Sequence, residues 1–301
     1  MSPESHAARR RSNAARASSS VSATIAILAA ARNTIVAITD EGLFGPKSVA
    51  WRLHADPTML VAAMRALLVQ ALEPRAVAGV VQHSDYDTDP WGRLERTVTF
   101  VLTTTYGDTA TAETAAAAVR KIHSRVRGVD PVTGRAYTAD DPDLILWVHA
   151  VEVHSAVFAY RRFAGLLSDR DADRYVAEMA AVAELVGLPA SMAPRSMGEL
   201  REYLRSVEGD LVMTDGARDT TRVIFSPPMP WPLRPLWVVP MAAAVSILPR
   251  VARRLYGLPW FHPATPSVRA GVFALTRALN VVVPDAPIIR AAKERVKSLA
   301  A

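Results

Sequence analysis

Apolar side chains return every three or four residues through most of this chain, and that period belongs to helices rather than strands. Leu60, Met64, Leu67, Leu68 and Leu72 make one such stripe, and Leu144, Trp147, Val148, Val151, Ser155 and Phe158 make another. Half of the 301 residues are apolar and only 14 are glycine, so the chain can bury a sizeable core in alanine-rich helices. The expected fold is all-α: a single globular multi-helix domain over residues 21–301, with helices packed in the style of a globin, behind a disordered basic tail over residues 1–20.

Local signals divide the pattern. Asp56-Pro57 reads as an N-cap followed by proline at the first helical position. A long helix is expected from about Pro142 to Leu167 and another from Asp169 to Val186, stopped by Gly187 and Pro189. Ser196 and Glu199 have the spacing of a capping box. The stretch VDPVTGRAYTADDPD, rich in Pro, Gly and Asp, reads as a connection, and Thr265–Leu279 and Ala286–Ala301 as closing helices. Val21–Ala31 is apolar and follows Arg9, Arg10 and Arg11, but it is short and weakly hydrophobic, so it reads as a first helix rather than an export signal. From Phe225 to Pro249 an apolar stretch is broken by Pro240 and is expected in the core. If exposed, its Trp231 and Trp237, with Trp260 and Arg250, Arg253 and Arg254, would suit a membrane interface. The expected location is the cytoplasm, with peripheral membrane contact as the variant.

Composition removes several chemistries. There is no cysteine, which excludes thiolate ligation and zinc–cysteine sites. No P-loop, dinucleotide fingerprint or nucleophile elbow appears. The net charge of +6 comes without the basic–aromatic interleaving of nucleic-acid binders, so no nucleic-acid partner is expected. His83, Asp85, Asp87 and Asp89 alternate as in a calcium loop, but the required glycine and terminal glutamate are missing and they read as capping and turn residues.

The densest chemistry lies between Asp89 and Gly128. Arg93 and Thr97 are four apart and share a helix face, with Arg96 beside Thr97. A helix later His123 ends an alanine-rich run flanked by Arg120, Lys121, Arg125 and Arg127. A neutral imidazole facing a guanidinium and a hydroxyl is what a haem pocket needs, since imidazole holds the iron and cations anchor the propionates. The same pattern also describes a packed or surface histidine with a solvated basic face.

The runs DPWGRLERT, HSRVRG and YTADDPDLILWVHA, in that order, resemble the mpaB-type oxygenases and latex clearing proteins, the DUF2236-like family of helical b-type haem proteins. The likeness covers residues 42–205 and continues weakly beyond. It implies an oxygenase with haem b as cofactor and an apolar, isoprenoid or lipid-like substrate with dioxygen as partners. His123 matches the proximal iron ligand, and Arg93 and Thr97 match residues beside the haem. Arg96 stands where the latex clearing branch has a lysine that caps the iron, and a guanidinium cannot do so. The glutamate proposed as base in rubber cleavage has no placed counterpart, so rubber is not the expected substrate. His149 reads as a hydrogen-bonding neighbour of the macrocycle, a support to the ligand, or a core histidine. Two other readings stand beside this one: a non-catalytic haem- or lipid-binding protein, and a non-haem iron site begun by His149 and Glu152, three apart.

Overall fold

Helix α6 (Pro142–Ala159) is apolar on nearly every side, so it can be stable only inside the molecule, and the other helices are arranged around it. Asp141 starts it by accepting from the Asp143 amide at 3.0 Å, with Pro142 at the first helical position. Its far end loosens into a π-turn over Tyr160–Ala164 rather than continuing as α-helix to Leu167. The computed structural model describes residues 40–258, 270–276 and 285–299. The expected tail (1–20), the first helix (21–31) and Trp260 lie outside these.

Around α6 run α1 (Val49–His54), α2 (Met59–Gln70), α3 (Pro74–His83), α4 (Pro90–Tyr106) and α5 (Thr109–His123). After α6 come α7 (Asp169–Leu185), α8 (Met197–Ser206), α9 (Asp215–Phe225), α10 (Arg234–Ser246), α11 (Arg250–Leu255) and α12 (Pro287–Leu299). Helix α6 packs on α2, α7 and α8, and α10 covers the other side of α2. The shared core includes Leu53, Met64, Leu68, Trp147, Val151, Val157, Val176 and Leu200. The class is all-α, as expected.

Two local expectations need adjusting. Asp56 does cap, accepting from the amide and hydroxyl of Thr58, but it caps a tight turn and α2 begins at Met59. The connection after α5 contains a small antiparallel hairpin, β1 (Arg127–Val129) with β2 (Ala136–Thr138), turned through Asp130 and Gly134 (φ +70°). Tyr137, on β2, packs on Ala78 of α3 and donates to Gln82 at 2.7 Å. The Ser196 cap forms as expected.

Pro240 lies inside α10, where Pro240, Met241, Ala243 and Ala244 are buried while Val238 is 60% exposed. Core packing and exposure thus divide this segment between them. No helix among the described residues is long and apolar enough to cross a membrane.

Candidate functional site

Helices α4 and α5 are joined only by Gly107 and Asp108 and pack against each other. Asp89 caps α4 by accepting from Gly92 at 3.0 Å, and Asp108 caps α5 by accepting from Thr111 at 2.7 Å. Arg93 is thirteen residues before the end of α4 and His123 fourteen after the start of α5. At 1.5 Å per residue both lie ~20 Å from the turn, at the same level of the hairpin.

His123 is half-buried, and its Nδ1 is buried with no hydrogen-bond partner. Burial lowers its pKa, opposed by the charge of Asp140, so the imidazole is neutral at pH 7. The Arg93 guanidinium is drawn down first by burial and then by its like-charged neighbour Arg96. Among the described residues neither side chain has a hydrogen-bond or ion-pair partner. The Nδ1 of His123 is both buried and without a partner, and leaving a polar atom so is costly.

The neighbouring residues divide. Thr97 donates its hydroxyl to the Arg93 carbonyl at 3.1 Å, so the proton donor on this helix face is Arg93. Arg96 is exposed and reaches Asp89 at 3.7 Å, toward the cap of its own helix. His149 sits buried on α6 (7% exposed), with Nε2 unpartnered and its pKa held down to about 4 by burial. Asp140, whose charge reaches His123, precedes α6, whereas His149 lies seven residues into it, ~10 Å from its start.

Glu152 belongs to this description although its sequence context linked it only to His149. Its carboxyl is surrounded by protein and pushed up to about 7 by burial, against a hydrogen bond from Gln70 that lowers it. Yet its side chain retains accessible surface, as does Val148 one turn before. Helix α4 packs on α5, α1 and α12 rather than closely on α6, and Val98 at its middle is 42% exposed. The sequence signal for Glu152 was a lone charge, beyond the first turn, in an apolar helix. Among the described residues no group of three or more His, Asp or Glu gathers around a point, so His149 and Glu152 do not begin a many-ligand metal site.

The domain is helical, and its α4–α5 hairpin carries the unpartnered Nδ1 of His123 with Arg93 at the same level. The family model described as "ER-bound oxygenase mpaB/B'/Rubber oxygenase, catalytic domain" matches residues 51–280, and the chain belongs to that family of oxygenases. The match extends beyond residue 205, where the motif resemblance weakened. No curated protein and no solved structure matches the chain.

Proposed function

We propose that this oxygenase works with a b-type haem held by His123 and acts on an apolar, isoprenoid or lipid-like substrate. The observation that carries the reading is the buried, unpartnered Nδ1 of His123, with the half-buried Arg93 at the same level of the α4–α5 hairpin. When bound, haem supplies a redox-active iron through which electrons reach dioxygen. A neutral imidazole at His123 is the protonation state that ligation requires. Arg93 would then donate either to a propionate or to the distal side, since a guanidinium offers up to five N–H donors and stays charged. Thr97 shares that face and can accept there; to donate, it must first release the Arg93 carbonyl. Arg96 would add positive potential from the rim without touching the iron. The exposed apolar surface of Val98 and Val148 suits a hydrocarbon, and Glu152 can hold or release a proton near pH 7.

The test is oxygen uptake by the haem-loaded protein with isoprenoid and fatty acyl substrates. Uptake above free haem is expected with at least one of them. Arg93→Ala should lower it about tenfold or more while visible absorption persists. Uptake no greater than that of free haem for every substrate would leave the catalytic reading without support.

A further inference from the structure

A cavity of about 190 Å³ lies between α2, α6, α8 and α11, and none of its lining residues comes from the α4–α5 hairpin. Its walls are apolar, including Val69, Trp147, Val151 and Leu204, but its polar groups are almost all donors. At the inner end is Arg65, only 2% exposed. Its Nε donates to the Ile247 carbonyl at 2.9 Å, one Nη to Ser155 at 2.6 Å, and the other Nη meets His154 Nδ1 at 3.1 Å. All three acceptors are neutral. No carboxylate pairs with Arg65 among the described residues, and burial alone pulls it down to about 10.

The contact with Arg65 also fixes the histidine. A guanidinium only donates, so His154 Nδ1 must accept, and in the neutral ring the proton is on Nε2. The ring is neutral: burial first, then the charges of Arg65 and Arg201, hold it well below the ordinary histidine range. Its Nε2–H has no acceptor among the described residues. Arg201 and Arg205 border the same cavity, both exposed, and neither is in an ion pair among the described residues. Among the described residues Glu208 is the one carboxylate on the lining, and it is exposed and in no ion pair.

We propose that this cavity is a binding site for a small amphiphilic anion, an oxyanion headgroup on a short apolar body, separate from the His123 site. A buried cation matched only by neutral acceptors and the face of the Phe158 ring, 5.4 Å away, remains expensive. A carboxylate or phosphate between Arg65, His154 Nε2–H and the arginines of α8 supplies the missing charge with charge-assisted hydrogen bonds. A cavity of ~150 Å³ holds a benzene-sized body, so the apolar part is about six carbons.

Calorimetric titration of the full chain with sodium hexanoate, hexyl phosphate and hexan-1-ol tests this. Hexanoate or hexyl phosphate should bind at least tenfold tighter than the alcohol, and whichever binds tighter identifies the headgroup as carboxylate or phosphate. Because replacing Arg65 endangers the fold, the informative variant is Arg201→Ala with Arg205→Ala. It should weaken the anion about tenfold and leave the alcohol and the melting temperature unchanged. His123→Ala should bind the anion as the unmodified chain does. Equal binding of anion and alcohol, no binding of either anion, an unaffected rim variant, or loss of binding in His123→Ala would each overturn the proposal.

Discussion

The carboxyl of Glu152 and the imidazole of His54 titrate in opposite senses, which makes them separable by pH. Glu152 is raised from 4.5 to about 7, so the folded chain binds the extra proton and this contribution to stability fades as pH rises through that window. His54 is lowered from 6.5 to about 4 by burial, so its contribution is present above 6.5 and lost as pH falls toward 4. Glu152→Gln removes only the first effect. Relative to the unmodified chain, the variant should gain stability between pH 5 and pH 8, by ~1–2 kcal/mol once screening by water beside the accessible carboxyl is allowed for. Denaturant melts at the two pH values measure this, and parallel profiles would place Glu152 in ordinary solvent. His54 also has a fixed tautomer. Thr105 donates to the Val101 carbonyl, so it accepts from His54 Nδ1, 2.6 Å away, and Nε2 accepts from the Tyr175 hydroxyl at 2.8 Å. Tyr175→Phe leaves that nitrogen buried without a donor and should cost ~1–3 kcal/mol in the same melts.

Helix α4 carries Arg93 on its first turn, so the geometry of the site depends on how that helix begins. Asp89 accepts from Gly92 and also faces Arg96. Asp89→Ala should cost ~1 kcal/mol, seen as a small drop in melting temperature, and should weaken whatever ligand Arg93 holds. An unchanged affinity would mean that Arg93 is positioned from elsewhere. Elements of this kind were legible in the sequence because caps and stripes are local: Asp89, Asp108 and Ser196 all cap the helices they precede. The β1–β2 hairpin was not legible, because strands of three residues carry no period and its order comes from Tyr137 against α3. Spacing brought out His123 and Arg93 as candidates. It gave Arg65 no role and tied Glu152 only to His149, since periodicity identifies an inward face but not the empty space beside it.

Across the whole molecule, the two ends of the described chain meet at the closed end of the α4–α5 hairpin. Asp40 accepts from the amides of Gly42 and Thr109, and Arg295 of α12 donates to the carbonyls of Glu41, Tyr106 and Gly107. Gly42 has φ +85°, and a Cβ there would lie 2.1 Å from the Gly107 carbonyl oxygen. Gly42→Ala should therefore cost ~2 kcal/mol or more and lower the thermal midpoint by several degrees, whereas a neutral result would mean that this junction is loose. The junction holds the hairpin closed at one end, while His123 and Arg93 lie on α5 and α4 toward the other. A haem held by His123 would bind toward the end of the hairpin away from this junction. The direct measurement is the visible absorption of the haem-loaded chain beside His123→Ala: a Soret band in the first that is lost in the second is the predicted result, and a band of equal shape and strength in both would contradict it.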